Sequence, residues 1–279
     1  MHFCLDGCKL PDPERMECVK LITNKAGEKE DLSMQVALIG DVHANLPALE
    51  AVLGHAHKQK VDAFWNVGDF VGYGAFPDEV VKRIRKECVL SIIGNYDLKV
   101  LEIKRKKKKW KKKRAPLKIH AFRWAYQSLS KKSRKYLRSL PEEISFEWYG
   151  RRILLTHGSP ASNEEALEPA TPDERLRELA QMVQADVIIC GHSHQPFWRE
   201  VGGVHFINTG SVGRPDDGDP RATYAVMEMF PDRIEVEHYK VDYDVDRAVE
   251  AIRKNKLPEE FAQMVIRGIS LDTLKGIGE

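Results

Sequence analysis

The pattern of apolar and polar positions, beginning near residue 35, indicates a strand, a helix, a strand, a helix and a third strand in succession. The apolar, partly β-branched run at residues 36–39 predicts a buried strand that Gly40 ends. Asn45 then offers the side chain of a helix N-cap, Pro47 suits a first helical turn, and apolar residues follow at helical spacing as far as Ala56. This segment therefore predicts a strand joined by a tight turn to a helix.

Two more apolar runs, at residues 63–66 and 89–93, predict the second and third strands. Asp41, Asp69 and Asn95 each follow one of the three strands, and successive members are 28 and 26 residues apart, about one strand–helix–strand unit. Right-handed crossovers make such strands parallel neighbours, so all three turns should open at the same sheet edge. We therefore expect these three polar side chains to converge.

Residues 98–143 interrupt this alternation. Helical patterns around residues 119–126 and 131–140 predict an inserted helical subdomain over the sheet edge. Residues 1–33 are polar and lack periodicity, which is typical of a loose extension. We therefore expect a loose N-terminal extension followed by a single domain over residues 34–279, with a basic helical insertion at about residues 98–143.

The second half of the chain predicts mostly strands. Residues 144–149 and 152–156, joined at Gly150, indicate a hairpin, and Thr171 with Glu174 has the spacing of a capping box that opens a helix. Further strands are predicted at residues 187–190 and, as an antiparallel set, near residues 205–208, 224–229 and 234–240. Helices are expected from residue 245 and near residues 259–266.

Composition limits the class of protein. A chain of 279 residues with 42% apolar content can bury a large core. No run approaches the roughly 18 apolar residues of a membrane span, and the first residues lack the apolar centre of a signal peptide. The five cysteines are an odd number without a C-x-x-C pair, which suits a reducing compartment. We expect a cytoplasmic protein with no membrane partner.

The net charge of +2 hides an asymmetry. The run from Lys104 to Arg114 holds ten basic residues and no acid, and removing those ten charges from +2 leaves −8 for the remainder. Ten cations around Trp110 could follow a nucleic-acid backbone, because phosphate contacts bind without sequence preference. We prefer a solvated helix or a disordered loop, since like charges this dense repel one another.

Five short motifs that contain potential metal ligands each follow a predicted strand. In chain order they are Asp41-x-His43, Gly68-Asp69-x-x-Gly72, Gly94-Asn95-x-Asp97, His157-Gly158 and Gly191-His192-x-His194. An isolated Asp-x-His is more often a turn cap beside a surface imidazole, so each motif alone is weak. In this order and strand context they resemble the signature of the calcineurin-like metallophosphoesterases over about residues 35–240, and the later segments resemble a prokaryotic branch of small phosphodiesterases.

The resemblance implies an α/β fold, a four-layer α-β-β-α sandwich of two mixed sheets, and two divalent metal ions that share Asp69. The ligands it implies are Asp41, His43, Asp69 and His194 for one ion and Asp69, Asn95, His157 and His192 for the other. Imidazole nitrogen with carboxylate and amide oxygen suits manganese, which we expect, or iron, nickel or zinc. The implied reaction is hydrolysis of a phosphodiester or phosphomonoester in a small nucleotide-like substrate, by attack of a hydroxide that bridges the metals.

One position departs from the family pattern. Where many members have Gly-Asn-His-Asp, this chain has Tyr96 between Asn95 and Asp97. In the family that histidine stabilises developing charge or protonates the leaving group, and the aspartate orients it. A phenol of pKa about 10 can donate a hydrogen bond but is a poor proton shuttle at pH 7. Asn95, Tyr96 and Asp97 are the candidate catalytic residues, and a purely packing role for Tyr96 stays open.

Two other functions stay open. A nuclease would use the basic run to hold nucleic acid, whereas a scaffold protein on the same fold would have a weakened site, which Tyr96 allows and the intact ligand set opposes. His205 and the other histidines without a motif are interpreted as structural or solvated. Arg214 and Arg221 could reach a substrate phosphate, but we prefer a surface ion-pair cluster.

Overall fold

The computed structural model describes residues 33–110 and 116–276. The expected loose extension therefore lies outside the described residues, except for Ser33, and so does part of the basic run. The strands are β1 (Met34–Ile39), β2 (Ala63–Asn66), β3 (Leu90–Ser91), β4 (Glu143–Trp148), β5 (Arg151–Thr156), β6 (Val187–Cys190), β7 (Phe197–Val201), β8 (Val204–Asn208), β9 (Ala222–Met229) and β10 (Ile234–Val241).

The helices cover most of the segments between and after the strands. They are α1 (Leu46–Lys58), α2 (Pro77–Glu87), α3 (Asn95–Trp110), α4 (Pro116–Ser128), α5 (Lys131–Ser139), α6 (Asp173–Val183), α7 (Val245–Lys254), α8 (Glu259–Arg267) and α9 (Leu271–Gly276). Within the described ranges, none of them has the length and apolar character required to cross a bilayer.

The first sheet has the order β10-β9-β1-β2-β3, and β1, β2 and β3 run parallel. Ile39 at the end of β1 lies opposite Asn66 at the end of β2, which lies opposite Ser91 at the end of β3. The three turns therefore open at one edge, as predicted. The third strand is shorter than the predicted residues 89–93 and covers only Leu90–Ser91. The Ile93 amide bonds to the carbonyl of Pro141, outside the strand ladder.

The second sheet has the order β4-β5-β6-β8-β7. The predicted hairpin is confirmed by the antiparallel pair β4 and β5. The prediction that β8 belongs to an antiparallel set was wrong in part, because β8 lies between β6 and β7 and pairs parallel with β6. Strand β7, which the sequence analysis missed, forms a tight hairpin with β8 through Gly202 and Gly203, both at positive φ.

Three apolar layers hold the elements together. Ile39 and its neighbours pack against α1 and α2, Leu38 packs with Leu155 between the two sheets, and Ile188 packs with Leu176 of α6 on the far side. Helix, sheet, sheet and helix thus follow one another, which confirms the four-layer α-β-β-α sandwich. The inserted helices α3, α4 and α5 add Val100 and Phe122, among others, to the layer that covers α1 and α2.

The two predicted helix starts have different outcomes. The Asn45 side chain accepts a hydrogen bond from the amide of Ala48, which confirms it as the cap of α1. The capping box at Thr171 was wrong: α6 has Pro172 as its N-cap without a side-chain cap, and the Thr171 hydroxyl accepts from the amide of Glu168 instead.

Candidate metal centre

The turns that carry the predicted ligands have an unusual backbone. Five of the seven ligand residues have left-handed φ angles: 52° at Asp41, 47° at His43, 53° at Asp69, 67° at His192 and 61° at His194. Residues other than glycine seldom adopt this conformation, and those that do cluster at functional sites, where surrounding contacts hold the strain. The five ligand residues are half of the ten described non-glycine residues with positive φ.

Hydrogen bonds between the turns provide those contacts. The amide of Asp41 donates to the carbonyl of Gly68 at 3.0 Å, and that of His43 donates to the carbonyl of Asp69 at 3.0 Å. On the other side, the Ser211 hydroxyl donates to the carbonyl of Asp41 at 2.8 Å. The first turn is therefore fixed against two other segments of the chain.

Asp41, His43 and His194 form a buried cluster. The Nε2 atoms of His43 and His194 are 3.2 Å apart, and Asp41 Oδ1 lies 3.3 Å from Nε2 of His194 and 3.8 Å from Nε2 of His43. One carboxylate oxygen and two imidazole nitrogens thus converge on a single point, a donor set that suits a divalent transition metal.

Asp69 lies between this cluster and a second one. Its Oδ2 is 3.8 Å from Nε2 of His43, and its Oδ1 is 3.6 Å from Nε2 of His157. The two carboxylate oxygens therefore face different histidines, which is the arrangement that a bridging ligand needs.

Asn95 and His192 adjoin the second cluster. The Asn95 amide nitrogen is 3.1 Å from Nδ1 of His192, and the rings of His157 and His192 have centroids 5.1 Å apart. A half-turn of the Asn95 amide would exchange its oxygen and nitrogen, so that the oxygen could face the same space. The structure thus brings together all seven side chains that the motifs single out.

Backbone carbonyls orient three of the four histidines. Nδ1 of His157 donates to the carbonyl of Val67 at 2.8 Å. Nδ1 of His194 donates to the carbonyl of Arg214 at 2.6 Å, and Nε2 of His192 donates to the carbonyl of Glu164 at 3.2 Å. In a neutral imidazole, a ring nitrogen that donates in this way leaves the other nitrogen with its lone pair, and such contacts typically orient metal-binding histidines. Each free nitrogen faces the side chains of the site.

Several buried atoms of the site have no hydrogen-bond partner among the described residues. They include Asp41 Oδ1, Asn95 Oδ1 and His157 Nε2. Buried polar atoms nearly always have a hydrogen-bond partner in folded proteins. Three buried oxygen and nitrogen atoms without one, all in the same place, are the pattern that a metal-binding site shows before its ion is added. The residues present therefore fit a divalent metal ion.

Burial and neighbouring charges shift the pKa values of the two histidines in the first cluster in opposite directions. Burial and the nearby Arg214 lower the pKa of His43 well below its usual range. Burial and Arg214 also disfavour charge on His194, but the carboxylates of Asp41 and Asp216 raise its pKa to about 9. Burial raises the pKa of Asp69. Two carboxylates and several imidazoles in so little solvent give a site whose charge depends on what it binds.

Glycines beside the ligands allow the close approach. A Cβ on Gly94 would lie 2.1 Å from Oδ1 of Asp69, and one on Gly72 would lie 2.5 Å from Nδ1 of His43. Both distances are shorter than a Cβ atom can approach. Glycine is therefore required at these two positions because a side chain would collide with a candidate ligand, in addition to any demand of the turn.

Asp97 contacts backbone rather than Tyr96. Its carboxylate accepts hydrogen bonds from the amides of Phe70, Val71 and Gly94, at 3.3, 3.1 and 3.0 Å. Burial and the neighbouring Asp69 raise its pKa well above the usual range. Asp97 therefore joins the second and third turns and acts on the site through their backbone.

Tyr96 borders the first cluster. Its ring packs edge-on against His43 with centroids 5.1 Å apart, and its hydroxyl lies 3.0 Å from that of Tyr73. Lys99 Nζ and Arg214 Cζ lie 5.3 and 5.8 Å from the ring centroid. Tyr96, the residue that departs from the family pattern, thus has two cationic side chains near its ring.

Two neighbours of Tyr96, Arg214 and Lys99, were misjudged or missed in the sequence. Both arginines form the expected ion pairs, Arg221 with Asp219 and Arg214 with Asp216. The surface placement holds for Arg221, which is 45% exposed, but was wrong for Arg214, which is 15% exposed and packs on Tyr73. Lys99 follows Asn95 by one helical turn, a spacing that could have placed it near the site. His205 stacks on Trp198 away from the ligands, which agrees with its structural interpretation.

Comparisons with known proteins agree with this geometry. The model of the calcineurin-like phosphoesterase superfamily domain matches residues 34–230. The protein MJ0912 of Methanocaldococcus jannaschii is 32% identical over 250 residues, which cover 84% of this chain and 98% of that protein. Phosphodiesterase YfcE of Escherichia coli K12 is 24% identical over 208 residues, covering 70% and 88%. The crystal structure of a metallophosphoesterase from Sphaerobacter thermophilus is 29% identical, covers 85% of this chain and 99% of that one, and superposes with a TM-score of 0.71.

Proposed function

The chain belongs to the calcineurin-like phosphoesterase superfamily, and from that premise we propose that it hydrolyses a phosphodiester or phosphomonoester in a small nucleotide-like substrate. The observation that carries the proposal is the position of Asp69, whose two oxygens face His43 and His157 at 3.8 and 3.6 Å. A shared carboxylate between two nitrogen-rich clusters supports a pair of ions rather than one.

We assign Asp41, His43, Asp69 and His194 to the first ion and Asp69, Asn95, His157 and His192 to the second, with manganese the expected metal. When bound, such a pair supplies Lewis acidity that activates water and neutralises charge on phosphoryl oxygens. The carbonyls of Val67, Arg214 and Glu164 hold the histidines in the required orientation.

Two other side chains act on the substrate in this proposal. The Tyr96 hydroxyl donates a hydrogen bond to a phosphoryl oxygen, and the Arg214 guanidinium attracts the phosphate. Neither is a good proton donor at neutral pH, so a substrate with a good leaving group is favoured. The similarity to a phosphodiesterase supports a diester as the first substrate to test.

The remaining expectations are proposals too. We propose that residues 34–279 form one domain, which the cluster shared by α1, α2 and the inserted helices supports. A cytoplasmic location is supported by the cysteine content of the chain. For the basic run, Glu102 pairs with Arg105 and Lys106 within α3, which supports a solvated helix. The proposed partner is a small phosphorylated molecule; nucleic acid bound through Lys104 to Arg114 is the less favoured alternative, and no membrane partner is proposed.

The test begins with protein stripped of metal and reloaded with manganese, iron, nickel or zinc. We expect hydrolysis of bis(p-nitrophenyl) phosphate, p-nitrophenyl phosphate or both, fastest with manganese, and two ions per chain by elemental analysis. Preference between the substrates separates a diesterase from a monoesterase. Hydrolysis of neither with any metal would refute the proposal and favour a scaffold, and salt-sensitive binding of DNA or RNA would favour the nuclease.

A further inference from the structure

Lys99 is a buried cation beside the second ligand cluster. It lies on α3 one helical turn after the candidate ligand Asn95, and it is 9% exposed. Its Nζ atom lies 2.8 Å from Oε1 of Glu164. A charge with so little access to solvent is costly unless it is paired, and this carboxylate supplies the pairing. The contact therefore joins α3 to the segment around Glu164.

Glu164 lies in the loop between β5 and α6, which follows the candidate ligand His157. The amide of Glu164 donates to the Ser162 hydroxyl at 3.1 Å, within the loop. The adjacent Glu165 pairs with Arg175 of α6 at 2.8 Å. Helix α6 thus holds the loop from one direction, and Lys99 of α3 holds it from another.

The carbonyl of Glu164 is the acceptor that orients His192. It accepts from Nε2 of the ring at 3.2 Å, and the other ring nitrogen, Nδ1, lies 3.1 Å from the amide nitrogen of Asn95. The backbone of His192 is fixed separately, because its amide donates to Oδ2 of Asp41 at 2.9 Å. The contacts of the two ring nitrogens therefore decide how the ring is turned. Since Asn95 and Lys99 share α3, the ion pair ties both contacts to one helix.

We propose that the ion pair between Lys99 and Glu164 positions the His192 ring, and that the inserted helix α3 thereby sets how tightly the second ion is bound. Loss of a group that orients a metal-binding histidine typically lowers metal affinity by about ten- to a hundredfold. Lys99 is thus a positioning residue that acts through Glu164. This role rests on the proposed function for the second ion, and it deepens that function by adding a residue on which the ion depends.

The opposite charges of the pair separate positioning from simple electrostatics. Burial lowers the pKa of His192 to about 4, and the Lys99 ammonium adds to the shift, so its charge reaches the ring. An ammonium repels a metal ion and a carboxylate attracts it. If charge alone mattered, Lys99→Met would strengthen binding of the second ion and Glu164→Ala would weaken it. A positioning role predicts that both variants weaken it.

Manganese titration of the metal-free protein, followed by the electron paramagnetic resonance signal of the free ion, measures the affinity of each site. Lys99→Met and Glu164→Ala should each weaken one site by about tenfold and leave the other within about twofold. The double variant should be no weaker than either single variant, because all three lose the same contact. Lys99→Arg keeps a cation for Glu164 and should restore most of the affinity.

Two exposed residues offer matched controls. Lys104→Met lies on the same helix, α3, and Glu174→Ala lies on α6, and neither should change the affinity of either site. A loss in these variants as large as that in Lys99→Met and Glu164→Ala would contradict a specific role for the pair.

Nitrogen-15 NMR of the histidine rings tests the positioning without any ion. In the metal-free protein, the Nε2–H proton of His192 should be protected from exchange, identified by its absence from His192→Ala, and lost from Lys99→Met and Glu164→Ala. An unchanged signal in both variants, or tighter binding of the second ion by Lys99→Met, overturns the proposal. A single bound ion in wild type, together with loss of the signal in both variants, would overturn the proposed function and leave the positioning role standing, so the two failures are distinct.

Discussion

Asp69 is the side chain on which most of the site depends. Its Oδ1 accepts a hydrogen bond from the amide of Tyr96 at 2.8 Å, and its carbonyl accepts one from the amide of His43. A residue held from both sides in a left-handed backbone can face two histidine clusters at once, at the cost of strain that the neighbouring turns compensate. The ligand residues are thus positioned by one another as much as by the strands that precede them.

The variant His192→Ala tests whether the chain binds a second ion. We expect His192→Ala to bind one manganese ion per chain instead of two and to lose at least about a hundredfold in kcat, since a site that lacks one ligand holds its ion poorly. Elemental analysis and a diester assay measure both effects. His205→Ala, at a histidine away from the ligands, is the matched control and should keep both ions. Two ions in His192→Ala would contradict the assignment.

Tyr96 tests the role of the unusual motif residue. Tyr96→Phe should lower kcat about tenfold with little change in metal content, because it removes one hydrogen-bond donor and keeps the ring against His43. Steady-state kinetics on bis(p-nitrophenyl) phosphate provide the measurement. Tyr73→Phe removes the neighbouring hydroxyl and should have a smaller effect. An unchanged rate in Tyr96→Phe would mean that the residue only packs.

At the scale of elements, hydrogen bonds and apolar packing between helices and turns hold the site in place. Asp97 joins the second and third turns, and the inserted helices share one apolar cluster with α1 and α2. Helix α5 is attached to α2 through Asp78, which accepts from the amide of Ser130 at 2.8 Å and pairs with Lys82 at 2.7 Å. The amide of Ser130 thus joins the start of α5 to α2.

Asp78 gives this attachment a pH dependence. Burial would raise its pKa, but hydrogen bonds from Lys82, Ser133 and Ser130 hold the pKa below its usual value. Because the pKa is lowered in the folded protein, the stabilisation is fully present above the unfolded pKa of about 4 and is lost progressively as the pH falls from there through the lower pKa of the folded protein. Asp78→Asn should therefore reduce the free energy of unfolding by about 1 kcal/mol at pH 7 and by less at pH 3.

Urea denaturation at the two pH values measures this difference. The exposed carboxylate of Asp246 in α7 offers a control for loss of charge alone. If Asp78→Asn were equally destabilised at pH 7 and pH 3, the ionised carboxylate would not be the source of the effect.

At the scale of the whole molecule, the candidate metal ligands come from both sheets. Asp41, Asp69 and Asn95 follow strands of the first sheet, whereas His157, His192 and His194 follow strands of the second. Ions held between them would therefore link the two halves of the sandwich, beyond the apolar layer that already packs between the sheets.

Metal binding should consequently stabilise the entire fold. A ligand at a hundred times its Kd adds about 2.7 kcal/mol, so we expect manganese to raise Tm by several degrees and a chelator to reverse the rise. Differential scanning calorimetry measures the shift. Asp69→Asn should show no comparable rise, and a rise as large as that of wild type would contradict the role of Asp69 in binding both ions.

The sequence by itself determined most of the strands and helices, and its motifs, through their resemblance to a known family, singled out the candidate ligands. The strands Ala63–Asn66 and Val187–Cys190 were predicted to the residue, and the cap at Asn45 was correct. These features follow from local periodicity and from the rule that parallel strands end at a common edge, which require no knowledge of distant contacts.

The tertiary structure alone decided how those residues meet. Four features could not be predicted from the sequence. They are the left-handed backbone of the ligand turns, the three amides that donate to Asp97, the position of β8 between β6 and β7, and the packing of Arg214 against Tyr73. Each depends on contacts between segments far apart in the chain, and a local pattern cannot specify which segments pack together. The same reason explains why an arginine assigned to the surface lies instead beside the candidate metal ligands.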